Sequence, residues 1–159
     1  MNIRNFKPDD APEINALALL AFDQFKDRYE DWPGFRTRIG NMAGLADTGE
    51  IIIAEVEGVI VGAVAYIGAH AAKPAFFRPE WPIMRMLVVS PAARGQGIGR
   101  ALAEACLARA RRDGATMFAL HTSELMQIAL PMYLRMGFEW AANTPDIHGV
   151  KYSVYTKSL

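Results

Sequence analysis

The chain has 159 residues, of which 52% are hydrophobic and 21% are charged, a balance typical of a globular soluble domain. Its 17 basic and 17 acidic residues cancel, which disfavours nucleic acid or an anionic membrane as a partner, and no apolar stretch approaches the roughly 20 residues needed to span a bilayer. We expect one domain covering residues 1–159, and a cytoplasmic location, because the N-terminus lacks the apolar core of a signal peptide.

The first third of the chain predicts a strand followed by two helices. Residues 2–6 alternate weakly and fit an edge strand, and the Pro8-Asp9-Asp10 step begins a helix whose apolar residues recur at helical spacing. A second, less regular helical stretch covers residues 33–46.

A β-hairpin is predicted next. Residues 51–56 and 59–66 are apolar runs that flank Glu57-Gly58, a two-residue connection typical of hairpins. A loop over residues 70–81 then leads into an apolar strand over residues 83–89.

The second half of the chain alternates helices with strands. This order indicates a mixed sheet with helices on both faces, in which residues 83–121 form a parallel strand-helix-strand unit. The one cysteine, Cys106, lies within a helix among Ala and Leu, which favours core packing over a nucleophilic role. The predicted elements are a helix from Ile98 to Asp113-Gly114, a strand over 117–121, a helix over 125–136, and strands over 138–142 and 150–156.

Residues 94–99 read Arg-Gly-Gln-Gly-Ile-Gly and join the strand over residues 83–89 to the following helix. Glycines let the backbone approach a ligand, and the first N–H groups of a helix are unpaired and carry the positive end of the helix dipole. Together these features predict a site for an anionic group.

Three glycine-rich motifs are candidates for this run. A Walker A loop requires Lys and then Ser or Thr after its last glycine, whereas Arg100 follows Gly99. A dinucleotide-binding motif, Gly-x-Gly-x-x-Gly, requires a third glycine. Arg100 stands in that place if the motif starts at Gly95, and Leu102 if it starts at Gly97. The pattern that remains is Arg-x-x-Gly-x-Gly, formed by Arg94, Gly97 and Gly99.

This pattern, with the preceding Leu87-Val88-Val89, closely resembles the acetyl-CoA-binding core of the GNAT N-acetyltransferase superfamily. A second block, residues 129–138, resembles that family's late helix, with Tyr133 and a terminal Gly137-Phe138. The resemblance implies an α/β fold of the α+β type, with a mixed, mostly antiparallel central sheet of about seven strands and about four helices on its two faces. It also implies an acetyl-CoA-dependent N-acetyltransferase, with acetyl-CoA as co-substrate and no metal.

The same resemblance implies how the cofactor would be held. The pyrophosphate would lie on the backbone N–H groups of residues 95–100, and Arg94 would add a charge-assisted contact. The strand over residues 87–89 would pair through its backbone with the pantetheine amides, and an N–H near Leu87 or Val88 would polarise the thioester carbonyl. The predicted cofactor-binding residues are Leu87, Val88, Val89, Arg94, Gly95, Gln96, Gly97, Ile98, Gly99 and Arg100.

Tyr133 matches the family's tyrosine that hydrogen-bonds the departing sulfur. The alternative interpretation of Tyr133 is a tyrosine that only packs in the core. A phenol of ordinary pKa, about 10, protonates a thiolate of pKa about 8.5 at a cost of roughly 2 kcal/mol, so we expect a hydrogen-bond donor rather than full proton transfer. Met126 stands where many members of the family carry a cofactor-contacting Asn, and we expect the loss of that contact to weaken cofactor binding.

The general base is left open by the sequence. The family often places a carboxylate on the strand before the glycine turn, whereas this strand has none and carries Arg85 instead. His121, Glu80 and Glu124 are the candidates; His121 has the most suitable ordinary pKa, near 6.5, and a hydrogen-bonded structural role is its alternative. The predicted catalytic residues are Tyr133, Leu87, His121 and Glu80.

The acceptor is predicted from the aromatic residues of the regions that form the acceptor pocket in the family. Such a pocket suits an apolar or aromatic primary amine of a small molecule, and the alternatives are that these residues fill the core or a dimer interface. A peptide or protein acceptor, a non-catalytic acyl-CoA sensor and a homodimer stay open. The aromatic residues are Phe22, Phe25, Tyr29, Trp32, Phe35, Phe76, Phe77, Trp81 and Trp140.

Overall fold

The computed structural model describes all 159 residues, and its seven strands form one sheet in the order β1-β2-β3-β4-β5-β7-β6. Neighbouring strands are antiparallel except for β4 and β5, which are parallel. The predicted mixed, mostly antiparallel sheet is thereby confirmed. The strands are β1 (Asn2–Asn5), β2 (Glu50–Val56), β3 (Val59–Ile67), β4 (Ile83–Val89), β5 (Met117–Thr122), β6 (Glu139–Ile147) and β7 (Val150–Ser158).

Four α-helices cover the two faces of this sheet, as predicted. They are α1 (Ala11–Phe22), α2 (Trp32–Ile39), α3 (Ile98–Arg112) and α4 (Ala129–Arg135). The buried residues of α1 and α2 belong to one core cluster and those of α3 and α4 to another, so the sheet separates two hydrophobic layers. None of the helices combines the length and apolar character needed to span a membrane.

The predicted hairpin and the predicted role of the cysteine are both confirmed. Glu57 and Gly58 have φ angles of 51° and 77°, and two consecutive positive values are the mark of a type I′ turn between antiparallel strands. Cys106 is fully buried, and burial raises the pKa of its thiol to about 12. The thiol is therefore protonated and packs in the core, so it does not act as a nucleophile.

Three elements differ from the prediction by more than two residues. The helical stretch over residues 33–46 divides into α2 and a 3₁₀ segment over Met42–Asp47. Helix α4 begins at Ala129 rather than near residue 125, because the Ser123 hydroxyl accepts the N–H of Leu125 at 3.1 Å and holds a turn there. Strand β6 continues to Ile147; it is an almost fully exposed edge strand, so no apolar alternation indicated its length.

Candidate functional site

A cleft opens where β4 and β5 separate. These two parallel strands pair only through Ile83 with Ala119 and Met84 with Leu120, so the rest of β4 has no strand partner on that side. Free N–H and C=O groups along such an edge can pair with an extended ligand, as an added strand would. The cleft has a volume of about 1020 Å³.

A β-bulge lies in β4 beside this opening. The register between β3 and β4 shifts between Ala63 and Ala65, where Met86 and Leu87 together face the single residue Val64. Met86 has a φ angle of 58°, which is uncommon for a residue other than glycine. A bulge leaves its extra residue outside the hydrogen-bonded ladder. This bulge includes Leu87, one of the two residues near which the sequence predicts an N–H that polarises the thioester carbonyl.

The glycine-rich run forms the turn that the sequence predicts. Gly95 and Gly97 have φ angles of 80° and 78°, values that glycine adopts without the strain of a side chain. The first helical hydrogen bond of α3 goes from the N–H of Ala101 to the carbonyl of Gly97 at 3.0 Å, so the N–H groups of residues 98–100 have no partner within the helix. This donor set suits a diphosphate.

Arg94 lies at the start of this turn and is partly buried. Its Nη2 donates to the carbonyl of Ala21, at the end of α1, over 3.5 Å, which is a long hydrogen bond. A guanidinium has five N–H donors, so the contact leaves others for an anion on the adjacent loop.

Tyr133 lies on α4 with its ring in the core and also lines the cleft. The ring packs edge-on against Phe138 with centroids 5.8 Å apart. Burial, and secondly the nearby Cys106, raise the pKa of the phenol above its ordinary value. Tyr133 is therefore a core residue, as one of the two alternatives has it, and its protonated hydroxyl belongs to a side chain that also lines the cleft. Its hydrogen bond to the departing sulfur stays a prediction.

His121 lines the same cleft from the end of β5. Its Nε2 lies 2.5 Å from the Thr144 hydroxyl, which donates its own proton to the carbonyl of Tyr152 at 3.1 Å. We therefore assign the proton of the imidazole to Nε2, which leaves Nδ1 as the acceptor atom. Burial, and secondly the charge of Arg85, lower the pKa of His121 to about 4.

Glu80 does not join His121, Leu87 and Tyr133. Its exposed side chain lies 3.9 Å from Arg78 and lines a separate cavity of about 430 Å³ that includes Asp113. The physical reason is position along the sheet: Glu80 precedes the start of β4, whereas the cleft opens along the later part of that strand. Glu124, the third candidate base, is exposed and lies outside the cleft lining.

Residues 13–138 match the family described as Acetyltransferase (GNAT) family. The chain belongs to this family. It is 32% identical over 140 residues to a Mus musculus protein named "Probable N-acetyltransferase family 8 member 5", a match that covers 87% of the chain and 60% of the relative. It is 40% identical over 91 residues to N-acetyltransferase 8F1 of Rattus norvegicus, covering 57% of the chain and 40% of the relative. The chain thus spans 60% or less of the length of these relatives.

Solved structures share this GNAT fold over the whole chain. A GCN5-related N-acetyltransferase from Rhodopseudomonas palustris aligns over 99% of this chain and 95% of its own, with a TM-score of 0.78 and 21% identity. The protein yncA of Salmonella typhimurium, solved with its cofactor acetyl-CoA, aligns over 99% of this chain and 93% of its own, with a TM-score of 0.70 and 19% identity. At these identities the similarity shows the fold.

The predicted aromatic residues divide between the GNAT cleft and the core. Phe22 and Phe35 line the cleft, and Phe35 also belongs to the core with Tyr29 and Phe77. Trp140 is exposed on β6. Some members of the aromatic set thus line the cleft and some pack in the core, while the acceptor pocket stays a prediction.

Several functional candidates in this GNAT cleft are absent from the residues selected by sequence. Arg38, Lys73 and Thr37 line the cleft from segments that carry no motif, and Thr144 reaches His121 from the poorly patterned strand β6. Arg85 also lines the cleft. The sequence does single out this residue, because it stands where members of the family often carry a carboxylate.

Proposed function

We propose that this GNAT protein transfers an acetyl group from acetyl-CoA to the primary amine of a small molecule by direct attack. One observation supports this most strongly: the unpaired part of β4, its bulge and Tyr133 line a single cleft, and the turn before α3 directly follows β4. The relatives are named as N-acetyltransferases, and yncA was solved with acetyl-CoA.

The cofactor side of the cleft would hold acetyl-CoA through backbone groups. The N–H groups of residues 98–100 and the turn at Gly95 and Gly97 would bind the pyrophosphate, with Arg94 adding its charge. The unpaired edge of β4 would bind the pantetheine amides, and an N–H at the bulge would donate to the thioester oxygen as negative charge develops there. When bound, acetyl-CoA supplies an activated acetyl group.

Tyr133 would donate a hydrogen bond to the departing sulfur without losing its proton. Even at an ordinary phenol pKa, transfer to a thiolate costs about 2 kcal/mol, and burial moves the pKa of Tyr133 further upward. A buried, oriented hydroxyl still stabilises charge as it develops, because it needs no reorganisation during the reaction.

The acceptor amine would have to enter in its neutral form. A base with a pKa of about 4, as His121 has, is too weak to deprotonate an alkylammonium ion, whose pKa resembles that of lysine, about 10.4. The cleft itself favours the neutral amine, because Arg38 and Arg85 disfavour a third positive charge nearby. Nδ1 of His121 would take the proton only after attack has made the nitrogen acidic.

The test is a panel of primary amines with release of free CoA thiol as the readout. We expect at least one small amine to release thiol well above the hydrolytic background, and acetyl-CoA at about 100 times its Kd to stabilise the fold by roughly 2.7 kcal/mol. Stabilisation without any turnover would instead support the acyl-CoA sensor, and turnover only with peptides would support the peptide acceptor. Absence of both signals would contradict the proposal.

A further inference from the structure

The cleft carries positive charge and no negative side chain. Its titratable lining residues are Arg38, Lys73, Arg85, His121, Tyr133 and Tyr152, and no Asp or Glu is among the residues that line it. The whole chain, in contrast, has 17 basic and 17 acidic residues. The imbalance is therefore local to the site where the acceptor must bind.

Lys73 is not available for a ligand. Its Nζ donates to the carbonyl oxygens of Gly68, Ala71 and Pro79 at 3.0, 3.0 and 3.2 Å, and these three acceptors use the full donor capacity of an ammonium group. The lysine stabilises the loop before β4, and its charge stays directed at that loop.

Arg85 and Arg38 are different, because neither forms a salt bridge within the chain. Arg85 is partly buried on β4, and burial together with the charge of Arg38 lowers its pKa. Arg38 is exposed on α2 and lines the same cleft, so its charge disfavours the charged form of the more buried Arg85. An anion bound between them would remove this cost and supply the carboxylate-type partner that an arginine fork accepts.

The position of Arg85 separates it from the cofactor phosphates. Along β4, Met84 belongs to the core layer of α3 and α4, whereas Ile83 belongs to the layer of α1 and α2. Because strand residues alternate between faces, Arg85 lies on the face of Ile83, toward α2 and Arg38. The start of α3 packs on the opposite face through Ile98, and none of residues 94–100 lines the cleft with Arg85 and Arg38. The proposed pyrophosphate site therefore does not account for this pair of charges.

We infer that the acceptor is an amino acid-like compound: a primary amine that also carries a carboxylate, bound by Arg85 with support from Arg38, and an apolar substituent packed near Phe22 and Phe35. The inference rests on the proposed acetyl transfer and adds the chemical class of its substrate. Arg85 lies two residues before Leu87, where the acetyl group would be held, so its side chain can hold a carboxylate only a few bonds from the attacking nitrogen. The N-terminus of a peptide has an amide in place of that carboxylate.

The test compares phenylalanine, phenylalaninamide and phenethylamine as acceptors, with rates expressed per neutral amine because the amine pKa differs among the three. We expect the carboxylate compound to have a kcat/KM about 30-fold above both others. Arg85→Gln should abolish this preference by raising the KM of the carboxylate compound about 30-fold more than that of the two compounds that lack a carboxylate, and Arg85→Lys should restore part of it. Arg38→Gln should reduce the preference by a smaller factor, about fivefold.

Two controls locate the effect. Arg36→Gln alters an exposed arginine on the same helix as Arg38 that does not line the cleft, and it should leave all three acceptors unchanged. The Kd of acetyl-CoA should not change in Arg85→Gln. Equal use of the three acceptors, an equal loss for all of them in Arg85→Gln, or weaker acetyl-CoA binding in that variant would overturn the inference.

A binding measurement separates this inference from the acetyl transfer itself. In the presence of CoA, N-acetylphenylalanine should bind at least about tenfold more tightly than N-acetylphenylalaninamide, and Arg85→Gln should remove the difference. That comparison needs no turnover. If it fails while amines are acetylated, the carboxylate site is wrong and the transferase stands; if it succeeds without turnover of any amine, the transferase is wrong and the carboxylate site stands.

Discussion

The proposed cofactor side and the proposed acceptor side of the cleft are built in different ways. The cofactor side is nearly contiguous in sequence, from β4 through the turn at Gly95 and Gly97 to α3, and most of its donors are backbone groups. The acceptor side is assembled from α1, α2, the outward side chain of Arg85 on β4, the end of β5 and the β6–β7 pair, and it depends on side chains such as Arg85 and His121. The cofactor side can therefore be recognised as a sequence motif, whereas the residues of the acceptor side come together only when the chain folds.

This difference predicts that variants on the cofactor side alter acetyl-CoA binding alone, and variants on the acceptor side alter amine parameters alone. Tyr133 lies where the two sides meet and should affect the chemical step.

The largest effect is expected for Tyr133→Phe. Loss of a hydrogen-bond donor to developing charge should lower kcat about 100-fold, while the Kd of acetyl-CoA, measured by calorimetry, changes little. Tyr155→Phe is the matched control, because Tyr155 packs in the same core cluster without lining the cleft, and it should retain the parent kcat. Parallel losses in both variants would assign the effect of Tyr133 to packing.

Arg94→Gln should raise the Kd of acetyl-CoA about tenfold through loss of a partly shielded charge-assisted contact, with kcat at saturating cofactor nearly unchanged. Titration calorimetry gives the Kd and steady-state kinetics the kcat. Arg111→Gln, at an exposed position in the last turn of α3, is the control. A change in the KM of the amine without a change in acetyl-CoA affinity would place Arg94 on the acceptor side.

His121→Gln should lower kcat/KM about fivefold, because a weak base contributes little and the glutamine amide can keep the hydrogen bond to Thr144. Since the pKa of His121 is about 4, the imidazole is neutral throughout pH 5.5–8 and gains its proton only as the pH falls toward 4. Over that window kcat/KM should rise with pH only as the amine deprotonates, with the same shape in both proteins. A break near pH 6.5 seen in the parent and lost in the variant is the contradicting outcome.

Met126→Asn should produce the smallest change, a gain of about threefold in acetyl-CoA affinity. Met126 lines the cleft, and an amide there can add one hydrogen bond of about 0.5–1.5 kcal/mol to the bound cofactor. Ile128→Asn, at an exposed neighbouring position outside the cleft, is the control and should show no gain. Calorimetric Kd values decide the comparison.

Prediction from sequence was most successful where structure depends on local periodicity. Strand β4 and the start of α3 lie where the apolar runs and the glycine turn predicted them, because each is set by residues a few positions apart. The bulge at Met86 could not be predicted, since it depends on the register that β3 imposes. The length of β6 was also missed, because an exposed edge strand needs no apolar alternation.

The residues of the candidate site also differ in how far local sequence patterns could predict them. Tyr133 and the turn at 94–99 were both selected from motifs. Tyr133 lines the cleft, whereas the turn does not and follows β4 through a 3₁₀ segment over Pro91–Ala93. Glu80 was selected by residue type alone, and its location at the start of β4 separates it from the cleft. Thr144 carried no signal, because its relation to His121 depends on the pairing of β5, β7 and β6.

The sequence by itself determined the family, the order of the elements and the glycine turn before α3, because spacing along one chain is enough to set a helix start, a strand and a run of free N–H groups. Only the tertiary structure decided the electrostatics of the cleft. The pKa of His121 is low and Arg85 lacks an acidic partner because distant segments meet around them and bury them together. Desolvation and charge proximity are properties of that assembled environment, and no local pattern of residues specifies them.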